Sequence, residues 1–139
     1  MTAVDELAAT AGFPHRAEKV FPGRRDAVAQ VREWIRDRLR GVPVNVGDVE
    51  LCATELATNA VEYSCSRGDQ FAVVLCHDTA CVQVVVIDAG PLPEPPVDEN
   101  RDGGRGLVIV RAFTQACGWE TYEGCRIAWF RINLTGRPS

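Results

Sequence analysis

The stretch QFAVVLCHDTACVQVVVID, residues 70–88, decides the fold. Two runs rich in β-branched residues, 70–77 and 81–88, are joined by a short polar connection. Runs of this length and composition predict strands, and a short turn between them predicts a β-hairpin. Because strands joined by a hairpin must pair antiparallel, this stretch favours an α+β architecture.

The residues before this hairpin predict a strand and two helices. The segment AEKVFPG, residues 17–23, is typical of a short strand that ends in a Pro-Gly turn. Residues 24–40 predict a helix, which Gly41 and Pro43 end, and a second helix is predicted over about residues 45–64. Apolar residues recur along the first helix at spacings of three and four, at Val28, Val31, Ile35 and Leu39.

The residues after the hairpin predict a third helix and a second hairpin. A loop rich in proline and acid, GPLPEPPVDENRDG, leads into a glycine-led helix over residues 103–117. Residues 118–123 and 125–133 then predict two strands joined around Glu123-Gly124. The order β-α-α-β-β-α-β-β predicts an α+β two-layer sandwich, with about three helices on one face of a mixed, mostly antiparallel sheet.

Composition limits the classes of function. The 139 residues suit one domain, 1–139, of which residues 1–15 are weakly patterned and expected to be mobile. A formal net charge of −4 argues against sequence-independent binding of nucleic acid, which needs an excess of cations. No apolar run reaches the roughly 18 residues of a membrane span, and the N-terminus lacks the pattern of a secretion signal. We therefore expect a cytoplasmic protein with no direct nucleic-acid or membrane partner.

The six cysteines are interpreted as small, reduced hydrophobic residues, because no Cys-x-x-Cys pattern supports a zinc site. One pair stands apart. Cys76 and Cys81 flank HDTA, and if those four residues form the hairpin turn the two cysteines lie opposite each other on paired strands.

The second helix carries polar residues at the margin of its apolar stripe. At 100° per residue, Glu55, Asn59 and Glu62 lie within about 60° of one another and about 100–120° from the stripe, where a cleft could open. A solvated polar flank explains the same pattern, and the helix alone does not decide between the two. The stripe itself consists of Val49, Ala53, Leu56, Ala60 and Tyr63.

Two later segments add groups that suit a nucleotide. Asp88 ends a buried strand, where a carboxylate can accept a hydrogen bond from an exocyclic amino group, and Gly90 lets the backbone pass close to a flat ring. An ordinary turn is the alternative interpretation. Gly103, Gly104 and Gly106 precede an apolar run, and amides at a helix start can bind an anion. This segment lacks the lysine of a P-loop.

Together these segments resemble the GHKL (Bergerat-fold) ATP-binding domains, and within them the small bacterial anti-sigma factor/serine-protein kinases. ELATNA, residues 55–60, is similar to the N-box of that family. DAGPLP, residues 88–93, is similar to the first glycine box and GRGL, residues 104–107, to the second. The resemblance extends from about Ala17 to Leu134.

The resemblance implies a role for each matched residue. Asn59 would bind Mg²⁺ through its amide oxygen, and Glu55 would act as the general base on the attacking hydroxyl. Asp88 would bind the adenine amino group, with Gly90 beneath the ring. The second box would bind the phosphates through the amides of Gly104 and Gly106, with a positive charge from Arg105, and Leu107 completes the ATP-binding set.

One segment and one position are specific to this chain. The segment between the two boxes would form the lid over the nucleotide. This segment is short, rich in proline and acidic. Members of the family usually carry a threonine before the apolar run of the last strand, which helps to bind adenine through water. This chain has Cys125-Arg126-Ile127 there, so the water-mediated contact lacks its usual side chain.

The function that the resemblance implies is that of a serine/threonine-protein kinase. Using ATP and Mg²⁺, it would phosphorylate a small antagonist (anti-anti-sigma) protein, and it would bind a sigma factor, so that it regulates transcription. Proteins of this family often form dimers, so a homodimer is also considered. The alternative is a non-catalytic ATP-binding or protein-interaction module of the same fold. The presence of both Glu55 and Asn59 favours activity.

Overall fold

The computed structural model describes residues 12–62, 69–89, 102–122 and 124–135; of residues 102–107 and 122 it describes the backbone alone. Three helices and five strands lie within these ranges, in the predicted order. They are β1 His15–Pro22, α1 Asp26–Arg38, α2 Val46–Glu62, β2 Gln70–His77, β3 Cys81–Asp88, α3 Asp102–Phe113, β4 Ala116–Tyr122 and β5 Cys125–Asn133.

The strands form one sheet in the order β1-β2-β3-β5-β4. Each of its four described pairings is antiparallel. The central pair, β3 with β5, brings Asp88 opposite Arg126 and Val86 opposite Ala128. The α+β fold class with three helices is therefore confirmed, and the described pairings include no parallel one.

The first hairpin and the last strand have the predicted bounds, whereas the third helix ends earlier than predicted. It stops at Phe113, and Ala116 and Cys117 already belong to β4, where they pair with Arg131 and Phe130. The amide of Gln115 donates to the carbonyl of Arg131 at 3.0 Å, so hydrogen bonding to β5 replaces the helical pattern there. Long-range pairing of this kind overrides local helix preference.

The main core lies between the helices and one face of the sheet. Val31 and Ile35 of α1 and Leu39, the residue just after it, are buried as predicted, and Val28 is half-buried. The predicted stripe of α2 is also buried, at Val49, Ala53, Leu56 and Ala60, while Tyr63 lies outside the described residues. The helices are also joined by an ion pair at 2.6 Å between Arg36 and Glu50.

The predicted placement of Cys76 opposite Cys81 is wrong. Cys76 pairs with Gln83 instead, because the turn closes one residue later than expected. The amide of Asp78 donates to the carbonyl of Cys81 at 3.1 Å, and the Asp78 carboxylate accepts hydrogen bonds from the amides of Ala80 and Cys81. Among the described cysteines none forms a disulfide.

Two further expectations concern the ends of the chain and membranes. His15 opens β1, and residues 1–11 of the segment expected to be mobile lie outside the described residues. In the part of the chain that the structure describes, no helix has both the length and the apolar character needed to cross a bilayer.

Candidate functional site

A small cavity lies between α2 and the helix-facing side of the sheet, at the carboxyl end of β3. Its volume is about 80 Å³. It brings together Asn59 from the first matched motif and Asp88 from the second, which the sequence placed in separate elements. The described side chains that line it are Leu56, Asn59, Asp88, Trp119, Arg126 and Ala128.

The strand register explains why these side chains meet. Asp88 and Arg126 are partners across β3 and β5, and Ala128 lies opposite Trp119 across β5 and β4. Because side chains two residues apart on a strand share a face, Arg126 and Ala128 project to the same side. Asn59 lies above them on α2, in the same helix as the buried Leu56.

The cavity contains an ion pair between Asp88 and Arg126. The Nε and Nη2 atoms of Arg126 lie 3.1 and 2.9 Å from Oδ2 of Asp88. Nη2 also donates to the main-chain carbonyl of Asn59 at 3.3 Å. The Asp88 side chain is 3% exposed and that of Arg126 is 21% exposed, so the pair is largely shielded from solvent. One guanidinium therefore joins β5, β3 and α2.

Trp119 also lines the cavity and was not among the predicted site residues. The residue lies on β4 and is 44% exposed. The guanidinium of Arg111 on α3 lies 5.5 Å from the ring centroid, within the range of a cation–π contact. The sequence places this tryptophan on a predicted strand but does not show which face of the sheet it occupies. The pairing of Trp119 with Ala128 across β4 and β5 shows that it faces the helices. Its flat, partly exposed surface is suited to contact with a planar base.

Glu55 and Asn59 lie one turn apart on α2, and both are half-buried. Asn59 reaches the cavity, whereas Glu55 is not among the side chains that line it. Glu55 lies near Cys52, whose thiol has a pKa raised to about 12, chiefly by burial and then by Asp48, Cys117 and Glu55. Glu62, the third polar residue of the predicted margin, forms an ion pair at 2.9 Å with Arg25, which immediately precedes α1. This contact links the end of α2 to the start of α1.

The remaining predicted residues are described in part or not at all. Gly90 and the predicted lid, residues 91–101, lie outside the described residues. Because α3 begins at Asp102, the segment from Gly104 to Leu107 lies in its first two turns. The first four amides of a helix have no acceptor within it, so those of Gly104 and Arg105 are available to a phosphate, while Gly106 lies just beyond them. Phosphate binding by this segment stays a prediction.

The donor set suits a nucleotide-bound Mg²⁺ better than a metal cage made by the protein. Within residues 12–62, 69–89, 102–122 and 124–135, no group of three or more histidine, cysteine or acidic side chains could hold a metal ion. Mg²⁺ keeps several waters and takes few protein oxygens when substrate phosphates are present. A single amide oxygen from Asn59 is compatible with that requirement.

The comparisons with known proteins agree on this architecture. The chain is similar to the RsbU and RsbW domains of Rv1364c from Mycobacterium tuberculosis, with 21% identity and a TM-score of 0.66 over 90% of this chain and 34% of that one. It is also similar to the Acinetobacter baumannii histidine kinase AdeS, with 15% identity and a TM-score of 0.51 over 86% of this chain and 68% of that one. At these identities the likeness shows the fold alone, and the chain spans about a third of the first structure.

The sequence comparison is more specific. No curated protein matches the chain. The family model of the histidine kinase-like ATPase domain, HATPase_c_2, matches residues 21–132, which include α2, the hairpin, the cavity and α3. The match covers well over half of the 139 residues. The chain therefore belongs to the histidine kinase-like ATPase domain family.

Proposed function

We propose that this protein is an anti-sigma factor-like serine-protein kinase, which binds ATP and phosphorylates a serine of a small antagonist protein. The observation that carries the proposal is that Asn59 and Asp88 line one cavity in a chain of this ATPase family. Phosphorylation of the antagonist would control how much sigma factor this protein binds. The proposal places the protein in the cytoplasm, with a sigma factor and an antagonist protein as partners.

The nucleotide would lie with its base in the cavity. The Asp88 carboxylate accepts a hydrogen bond from the exocyclic amino group, and Trp119 contacts the edge or face of the base. Gly90 would pass beneath the ring, as the resemblance implies. Towards the start of α3, the amides of Gly104 and Arg105, which have no acceptor within the helix, bind the phosphates, and Gly106 and Leu107 complete the motif.

The chemistry assigned to α2 is proton transfer and metal binding. Glu55 accepts the proton of the serine hydroxyl as the serine oxygen bonds to the γ-phosphorus; the bond from that phosphorus to the bridging oxygen breaks, and ADP leaves. Asn59 would hold Mg²⁺ by its amide oxygen. When bound, the ion neutralises charge on the phosphate oxygens. Positioning and charge neutralisation supply most of the rate enhancement in such reactions, so few side chains are needed.

The second candidate is a non-catalytic ATP-binding or protein-interaction module. The observation in its favour is that Arg126 already donates twice to Asp88, the acceptor assigned to adenine. A module of this kind would bind nucleotide weakly, or would bind protein partners without it. It would transfer no phosphate.

A phosphotransfer assay separates the two candidates. The wild type, Glu55→Gln and Asn59→Ala are each incubated with Mg²⁺, γ-labelled ATP and candidate antagonist proteins from the same organism. Glu33→Gln, which neutralises an exposed glutamate of α1, is the matched control. We expect the wild type and the control to transfer phosphate. In Glu55→Gln the rate of transfer should fall about 100-fold or more while ATP still binds. In Asn59→Ala the Mg²⁺-dependent binding of ATP should be lost.

One outcome would count against the kinase assignment and another against the role of Glu55. ATP binding without transfer to any serine would favour the non-catalytic module. Transfer by Glu55→Gln at the rate of the control would remove Glu55 from the role of base.

A further inference from the structure

We propose that Arg126 acts as an internal competitor for the nucleobase site, and that the guanidinium withdraws from Asp88 when a base binds. Arg126 would thereby set how much the base contributes to nucleotide affinity. This inference rests on the proposed nucleotide site, and it adds a specificity-determining residue that the matched motifs do not contain.

The geometry of the ion pair supports competition. Both Nε and Nη2 of Arg126 donate to the same oxygen, Oδ2 of Asp88, at 3.1 and 2.9 Å. A carboxylate oxygen offers about two lone-pair sites, so the two bonds from Arg126 use the acceptor capacity of Oδ2. An amino group that binds this oxygen has to replace at least one of them.

The third hydrogen bond of Arg126 places the guanidinium across the cavity. Nη2 donates to the carbonyl of Asn59 on α2, so the side chain extends from β5 towards the helix while it holds Asp88 on β3. Arg126 is itself part of the cavity lining, and the volume bounded by the described residues is about 80 Å³. Pockets that hold small ligands are usually several times larger. Withdrawal of the guanidinium would free both the acceptor and space.

The surroundings allow that withdrawal. Arg126 is 21% exposed, whereas Asp88 is 3% exposed, so the guanidinium is the partner nearer to solvent. The neighbouring residues Cys125 and Thr121 are exposed, and a long arginine side chain can extend along such a surface while its charged end stays in water. The base would then replace Arg126 as the group that donates to the carboxylate.

The test compares the contribution of the base to affinity in wild type and in Arg126→Met, which keeps similar length without the charge. Calorimetry gives the Kd of each protein for Mg-ATP and for Mg-ribose 5-triphosphate, which lacks a base. The ratio of the second Kd to the first measures what the base adds. We expect this ratio to rise about tenfold in Arg126→Met, because the base then no longer has to break a charge-assisted hydrogen bond between Arg126 and Asp88.

Two further variants keep the test informative. Arg131→Met removes an arginine from the opposite face of the same strand, where it donates to Gln83, and should leave the ratio unchanged. If Arg126→Met does not fold, Arg126→Lys replaces it, because an ammonium makes fewer hydrogen bonds to Asp88, and a smaller rise is expected. Both ligands are measured on the same protein, so a general loss of stability changes both Kd values alike and leaves their ratio unchanged.

The outcomes distinguish this inference from the proposed function. A ratio in the folded Arg126 variant that equals or falls below the wild-type ratio overturns the role of Arg126, while ATP binding by wild type leaves the nucleotide site intact. Absence of nucleotide binding by every variant and by wild type overturns both. ATP binding that appears only after Arg126 is replaced supports both.

Discussion

Replacing Asp88 by asparagine should destabilise the fold through the cation that it leaves behind. The substitution keeps the shape of the side chain but removes the charge that faces Arg126, whose side chain is only 21% exposed. Removing one partner of a buried ion pair costs about 3–5 kcal/mol. The asparagine carbonyl can still accept one hydrogen bond and Arg126 is partly solvated, so we expect a loss of about 2–3 kcal/mol. For a chain of this length, that corresponds to a fall in Tm of roughly 8–12 °C.

Urea denaturation of a double-mutant cycle is the assay. Asp88→Asn, Arg126→Met and the double variant are compared with wild type, and Asp37→Asn serves as the matched control because Asp37 is exposed and forms a surface ion pair with Arg40. The double variant should be less destabilised than the sum of the single variants by at least about 1 kcal/mol, since it leaves no unpaired charge in the cavity. Additive single effects, or an Asp88→Asn variant as stable as Asp37→Asn, would show that the ion pair does not form in solution.

Three further predictions concern parts of the molecule outside the cavity. Gly118→Ala should lower the free energy of unfolding by about 1–3 kcal/mol, because the added Cβ would lie 3.1 Å from Nε1 of Trp129. An unchanged midpoint of urea denaturation would contradict this prediction. Iodoacetamide at pH 8 should label exposed Cys125 much faster than buried Cys52, whose pKa is raised to about 12. Mass spectrometry of the labelled peptides measures the two rates, and faster labelling of Cys52 would contradict its burial. Burial and a neighbouring histidine lower the pKa of His77 below its usual 6.5, so below that pH the unfolded chain binds more protons than the folded one. The free energy of unfolding should therefore fall as the pH drops from about 6.5 towards the lowered pKa, and an equal fall in His77→Gln would assign the effect to other groups.

The sequence predicted the elements well where local pattern controls them. The strands β2, β3 and β5 have the predicted bounds, because their β-branched runs agree with the final pairing. The turn at Asp78 moved by one residue, since its carboxylate caps two amides that the sequence pattern does not reveal. That shift was enough to separate Cys76 from Cys81.

The cavity was predicted only in part, for a physical reason. Asn59 and Asp88 could be proposed from local motifs, and the structure brings them to one cavity. Arg126 and Trp119 depend on the register of β5 against β3 and β4, which no local pattern specifies. The sequence showed that Arg126 lies close to the position at which the family usually has a threonine. Only the strand register shows that Arg126 pairs with Asp88.

The central claim is that the cavity of Asn59 and Asp88 binds ATP with Mg²⁺, and titration calorimetry tests it most directly. Mg-ATP is titrated into wild type, Asp88→Ala and Asp37→Asn, each first shown to be folded by circular dichroism at the temperature used. We expect a saturable heat in wild type and Asp37→Asn that is lost or strongly weakened in Asp88→Ala. Equal heats in wild type and Asp88→Ala would contradict it.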